Sequence, residues 1–178
     1  MSKIWLQICT IVSVLVFASS IAMAQQPTVT PVGPVPSALT DAKTIFVSNA
    51  GADSGLFPQP FSGDPDRPYS EFYAGLKALG KWDLVADPSQ ADLVLELQLT
   101  APNGPTKGSK VNGASDPVPM LRLVVYDRKS HYVMWALTES IEIAFLQKTH
   151  DRNFDNAITA LLNDFERVSG KMPTPAAP

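Results

Sequence analysis

Leu93-Val94-Leu95-Glu96-Leu97-Gln98-Leu99-Thr100 is the stretch whose reading decides the fold. Leucine stands at every odd position, whereas Glu96, Gln98 and Thr100 make the even positions mainly polar. Side chains alternate across a strand, so this strand has one leucine face and one wet face. It therefore belongs to a sheet packed against a core on one side only, which is the habit of antiparallel sheets.

Downstream, Met120 to Asp127 and Tyr132 to Ile143 are two further alternating runs, joined by the tight connection Arg128-Lys129-Ser130-His131. They predict a hairpin with Leu121, Leu123 and Val125 opposite Val133, Trp135 and Leu137. Upstream, the β-branched and aromatic run Lys43 to Ser48 reads as a first strand, and Trp82 to Ala86 as a short second one before the turn Asp87-Pro88-Ser89-Gln90. Phe72, Leu76 and Leu79 recur at helical spacing and Gly80 follows, predicting a helix over Tyr69 to Leu79. Phe154, Ile158, Leu161, Phe165 and Val168 form the stripe of a closing helix, with Asp151 or Asn153 as its cap and Gly170 as its stop.

The order β-α-β-β-β-β-α implies an α/β (α+β) two-layer sandwich: a mixed, mostly antiparallel sheet of about five strands with two helices on one face. The first β-α-β unit permits one parallel pair by a right-handed crossover. If strands two to five form a meander, chain direction places the Gly/Pro-rich loop 49–68 with the hairpin tip 127–131 at one end of the sheet. The second long loop, 101–119, then shares the other end with Phe145 to Arg152.

Outside this core the chain changes character. Lys3, the unbroken apolar run Ile11 to Phe17 and the small residues ending Ala22-Met23-Ala24 have the order of a secretory signal, with cleavage expected before Gln25. The apolar run is short for a spanning helix. Residues 25–37 are a Pro-rich linker, 38–170 a single domain, and 171–178 a tail ending Pro-Thr-Pro-Ala-Ala-Pro. Removal of residues 1–24 leaves no cysteine, because Cys9 goes with them, and leaves 13 basic against 17 acidic residues, a net charge of −4. That balance offers no cluster of cations for nucleic acid or for an anionic membrane surface. A domain of this length buries enough apolar area to fold without disulfides. The expected location is periplasmic or secreted, with no stable membrane insertion after cleavage.

The chemistry-bearing residues do not converge. Neither Gly-x-Ser-x-Gly nor Ser-x-x-Lys occurs, and Gly113-Ala114-Ser115-Asp116 reads as polar loop with no base beside Ser115. His131 and His150 fall at opposite ends of the sheet and cannot share a metal; His131 could meet Asp53, Asp64 or Asp66 from the first loop, though Asp64-Pro65-Asp66-Arg67 lacks the offsets of a calcium loop. Trp135, Phe46 and Tyr126 could be imagined as a sugar-stacking platform, but aromatics within alternating strands are core residues far more often. Lys107 and Lys110 in the second loop read as solubilising charge. No catalytic, cofactor-binding or metal-binding set is assigned.

Gly80-Lys81-Trp82-Asp83-Leu84-Val85, Ala91-Asp92-Leu93-Val94-Leu95 and Leu123-Val124-Val125-Tyr126-Asp127 followed by Val133-Met134-Trp135 resemble words of small bacterial envelope domains. These include the amino-terminal domain of TolB, the CsgG-like domains and several exported families of unknown function. The chain departs from them in lacking a lipid-anchoring cysteine after its signal and a following β-propeller. The resemblance implies a non-catalytic accessory of the envelope whose partner is another envelope protein. The alternatives are a small periplasmic or secreted hydrolase and a glycan- or small-ligand-binding module. Contact surfaces of an interaction domain are expected in the long loops and along any uncovered sheet edge. Intact-mass measurement on protein recovered from an exporting host should give a chain beginning at Gln25; a mass that retains Met1, or an excess equal to acyl chains, contradicts the reading of the signal.

Overall fold

The computed structural model describes residues 33–102 and 118–171. The signal segment, most of the linker, Lys107, Lys110, Gly113-Ala114-Ser115-Asp116 and the end of the tail lie outside the described residues. The elements run in the order α1 (Ser37–Asp41), β1 (Thr44–Ala52), α2 (Arg67–Leu79), β2 (Asp83–Leu84), β3 (Leu93–Thr100), β4 (Met120–Asp127), β5 (Val133–Ser140) and α3 (Gln147–Val168). Single 3₁₀ turns at Ser54–Leu56 and Pro88–Gln90 lie in the connections. Among the described residues no helix is long and apolar enough to cross a membrane.

The sheet is mixed, with strand order β2-β1-β3-β4-β5. The odd residues Leu93, Leu95, Leu97 and Leu99 of β3 are buried, as are Ile45 and Val47 of β1 and Leu121, Leu123 and Val125 of β4. Phe72 and Leu76 of α2, with Phe154, Ile158, Leu161 and Phe165 of α3, complete the core on that one face. The even residues of β3 are half-buried on the other face, so the leucine face and the wet face lie as the alternation requires. Gly80 and Gly170 end their helices in the left-handed region, with φ of 62° and 66°, where a missing Cβ removes the steric penalty. At Gly75 of α2 an added Cβ would run into Leu162 Cδ1 of α3, so the two helices approach closely there and a larger residue makes the Leu162 side chain shift.

The expected meander forms only over β3, β4 and β5, and β2 does not join it. β1 pairs in parallel with both β2 and β3, with Ile45 opposite Leu93 and Val47 opposite Leu95, while β3–β4 and β4–β5 are antiparallel. β2 is only two residues long, and the turn at Pro88–Gln90 carries the chain past the start of β1, so β1 takes the inner position. The physical reason is apolar surface: β1 buries Ile45 and Val47 on one face and half-buries Phe46 on the other, and an inner strand is the one with neighbours for all of it. Because β1 and β3 are parallel, their carboxyl ends coincide. The loop after β1 therefore lies at the same end as both anchors of segment 103–117, and Asp53 N–H donates to Leu99 O at 2.9 Å to fasten them. The expectation that the two long loops occupy opposite ends is thus overturned, and the hairpin tip is at the far end from the first loop.

Two boundaries also move. β5 stops at Ser140, so Ile143 lies beyond it. α3 begins at Gln147 with no side-chain cap, because Asp151 and Asn153 are drawn into bonds remote from the helix start and buried His150 extends the apolar stripe by one turn. Leu161 has no exposed surface, and a carboxylate there has neither water nor a partner. Leu161→Asp should destabilise the domain by more than about 3 kcal/mol and leave it unfolded in thermal melts at 37 °C; an unchanged melting temperature would contradict this core.

Candidate interaction surface

The loop after β1 is held to the helical layer by bonds that centre on Arg67 and Asp151. Arg67, at the start of α2, donates from Nε to Glu71 at 2.6 Å, from Nη1 to Asp151 at 2.6 Å and from Nη2 to Asp155 at 2.8 Å. Nη1 also reaches Ser62 O at 3.0 Å and Ser62 Oγ at 3.1 Å, and the guanidinium carbon lies 4.5 Å from the centre of the Phe154 ring. Asp151 accepts from Ser62 N and Oγ, both at 2.9 Å. Burial works against its charge, but the bonds from Ser62 and Arg67 outweigh it and hold the carboxyl below the usual range. Phe61 packs on Phe154 with 5.4 Å between ring centres and meets His150 edge-on at 6.2 Å.

So fastened, the loop forms one wall of a cleft of about 670 Å³ at the carboxyl end of β1 and β3. Leu56 and Pro60 stand on one side and Ile141 and Ile143 on the other, with Val118 and Pro119 between. The chain leaving β5 continues into the most exposed apolar side chains of this end: Ile143 at 53%, Phe145 at 106% and Leu146 at 69%. Contiguous exposed apolar residues beside an apolar concavity are the mark of a contact surface rather than of scattered surface leucines. Sequence reading placed Ile143 in a strand, and no signal in the run Ile141 to Leu146 distinguishes exposed from buried apolar residues.

The candidates raised by the sequence are dispersed. His131, in the left-handed region at φ 61°, is exposed at the hairpin tip, at the opposite end from Asp53, Asp64 and Asp66; parallel pairing of β1 and β3 separates them, and the proposed company of His131 is overturned. The three aspartates are occupied locally: Asp53 accepts from Gly55 N, Asp64 from Asp66 N, and Asp66 from Asn49 Nδ2. His150 is buried at the end of the sheet remote from His131, where its Nδ1 accepts from Ala144 N at 3.3 Å. Among the described residues no group of three His, Cys, Asp or Glu side chains is placed to hold a metal. Trp135 is half-buried on the helix-covered face, opposite Val125, whereas Tyr126 and Phe46 lie on the other face. No common aromatic platform exists.

No family model matches the chain, and no curated protein matches it. Among solved structures it is similar to the PelC dodecamer from Paraburkholderia phytofirmans, at 16% identity over 79% of this chain and 94% of that one, with a TM-score of 0.43. It is similar to a DUF4136 family protein from Bacteroides thetaiotaomicron at 12% identity over 74% and 90%, with a TM-score of 0.47. It is also similar to lipoprotein GNA1162 from Neisseria meningitidis at 12% over 70% and 99%, with a TM-score of 0.36. The names of these structures do not show the expected similarity to TolB or CsgG-like domains.

Next to the cleft, β5 and α3 enclose a titrating carboxylate. Glu139 points from β5 to the helix, where partial burial and the neighbouring Asp164 push its pKa up from 4.5 to about 7; Arg167, paired with Asp164, pulls the other way. Below pH 4.5 both folded and unfolded chains hold this proton, and between 4.5 and about 7 the folded chain holds it more tightly. Stability therefore falls as pH rises through that window and is level above it. After discounting for solvent screening of a half-exposed group, the loss is on the order of 1 kcal/mol. Glu139→Gln should abolish this slope in urea melts between pH 4.5 and 8 and raise stability at pH 8. An unchanged slope contradicts the shared site.

Proposed function

We propose that this chain is an exported, non-catalytic accessory domain of the bacterial envelope, and that it binds another envelope protein through the cleft end of its sheet. The observation that carries the reading is Phe145, wholly exposed and flanked by exposed Leu146 and Ile143, beside a 670 Å³ apolar cleft. Full burial of a phenylalanine side chain is worth roughly 2 kcal/mol, which a folded domain leaves unused here. The export signal expected over residues 1–24 supports a periplasmic or secreted location. The polar groups near the cleft support a binding role over a catalytic one: Arg67, Asp151 and Asp155 are paired with each other, and His150 is buried with its Nδ1 already accepting a bond.

Affinity capture from the native envelope tests this. A specific partner should be retained by the wild-type chain and lost, or weakened at least tenfold, with the double substitution of Ile143→Ser and Phe145→Ser. Both side chains are exposed, so the melting temperature should stay within about 2 °C of wild type. Retention of every captured protein by that variant, or turnover of an envelope substrate by the purified chain, would overturn the reading.

A further inference from the structure

We propose that the partner engages this domain as an extended segment that adds a sixth strand to the sheet at β5, lies in the trough between β5 and α3, and seats an apolar end in the cleft. The inference rests on the reading of the chain as a protein-binding domain and names the form of the partner.

The two edges of the sheet differ in kind. β2 is two residues long and is followed by Pro88, so it offers almost no ladder to extend. β5 has eight residues, and among the described residues no strand pairs with its outer side. Val133-Met134-Trp135-Ala136-Leu137-Thr138-Glu139-Ser140 contains no proline, lysine or arginine to block pairing, and its one charged side chain, Glu139, turns inward to α3. Its only irregularity is a register shift near its start, between the Val125 and Tyr126 pairs.

The hydrogen-bond register says which of its groups are free. Ile141 N–H donates to Pro119 O at 2.8 Å, and Glu139, Leu137 and Trp135 follow at intervals of two, opposite Leu121, Leu123 and Val125. In an antiparallel ladder bonded pairs alternate with non-bonded ones. The main-chain groups of Ala136, Thr138 and Ser140 therefore point away from β4, and the side chains of all three are exposed.

A helix runs beside this edge and leaves space. Ala157 and Ala160 of α3, with Asn153 and Asn156, face Ser140 and Glu142 across a trough of about 280 Å³. The trough and the apolar cleft have Ser140 and Glu142 in common, so the polar trough along the strand adjoins the apolar cleft beyond its end. An edge strand beside a helix is the arrangement by which peptides are recognised through strand addition, main-chain bonds supplying affinity and flanking pockets supplying specificity.

Charge narrows the occupant. Glu142 and the titrating Glu139 line the trough, and among the described residues no basic side chain does. The fitting segment is extended, free of proline where it pairs, basic where it passes these carboxylates, and apolar where it meets Leu56, Pro60, Ile141 and Ile143.

The probe is a displayed library of random decapeptides selected on the full chain, with the most enriched sequence synthesised for titration and hydrogen exchange. Expected are sequences with Lys or Arg preceding or following an apolar pair, and at least tenfold slower exchange at the amides of Ala136, Thr138 and Ser140 in the complex. Thr138→Pro removes one outward N–H and no bond to β4, a position where an edge strand tolerates proline. It should weaken the peptide at least tenfold while the free chain keeps its melting temperature. Should Thr138→Pro cost the fold, Ala160→Trp, which fills the trough from the helix side, should give the same loss of binding.

Several results would overturn the proposal: no enriched peptide, binding indifferent to a folded variant, or protection confined to residues 143–146. The last of these would leave the interaction reading standing while removing strand addition. Slowed exchange at the same amides in the chain alone, rising with concentration alongside dimer mass in light scattering, would identify the occupant as a second copy and overturn it too.

Discussion

Asp92 sets the geometry on which the site depends. Its carboxylate accepts from the main-chain N–H of Lys43 at 2.9 Å and of Thr44 at 3.1 Å, and its own N–H donates to Thr44 O at 3.0 Å and Thr44 Oγ1 at 2.9 Å. Bonds from the Lys43 and Thr44 amides hold the carboxyl below the ordinary aspartate range, with the charge of Lys129 a smaller contribution in the same direction. The start of β3 is thereby fixed beside the start of β1, running the same way. From the far side Arg128 N–H donates to Asp92 O at 3.2 Å and Arg128 Nε to Ala91 O at 2.8 Å, so the β4–β5 turn is tied to the same point. Once these starts are aligned, the carboxyl ends of β1 and β3 must also coincide, and every segment that leaves or enters the sheet there contributes to one surface.

At that surface the second constraint is Arg67. One guanidinium shared among Glu71, Asp151 and Asp155 joins the first loop, α2 and α3, and its stacking over Phe154 links the charge cluster to the core. Isolated exposed ion pairs contribute little, but Arg67 is mostly buried and its bonds to Ser62 fix a loop rather than two side chains. Leu56 and Phe61 of the same loop are both buried, and Leu56 is at once a core residue and a wall of the cleft. Core and cleft therefore share a residue.

The parts of this architecture that were legible in sequence are those in which one residue's burial follows from its own neighbours along the chain. β3 and β4 begin and end where alternation begins and ends, and Gly80 and Gly170 stop helices where the stripes stop. Strand adjacency was not legible, because the bond that decides it joins Asp92 to Lys43 and Thr44 across 48 and 49 positions. The same distance hid the role of Asp151, whose partners Ser62 and Arg67 lie more than 80 positions away. β1 was read as ending at Ser48 since Asn49-Ala50-Gly51-Ala52 has weak strand character, yet it runs on through a register shift beside Leu97 and Leu99. The exposure of Ile143, Phe145 and Leu146 was not legible for a different reason: the long loops and any uncovered edge are expected as contact surfaces, but nothing in the run Ile141 to Leu146 separates exposed from buried apolar residues.

That last failure is informative about function. Local pattern and global fold agree almost everywhere in this chain, and where natural sequences break the agreement the cost is generally met for function. The core closes without residues 143–146: Phe154, Ile158, Leu161 and Phe165 already cover the leucine face, and β5 reaches its last β4 partner at Ser140. Nothing in the folding of the domain requires a phenylalanine at 145 in place of a polar residue. The same holds for the bare outer side of β5, since a lysine at Ala136 or Thr138 would protect that edge and disturb no buried contact. Two independent exposures, one apolar and one of main-chain groups, thus lie next to each other on a frame stable without either, which is the arrangement expected where a partner completes both.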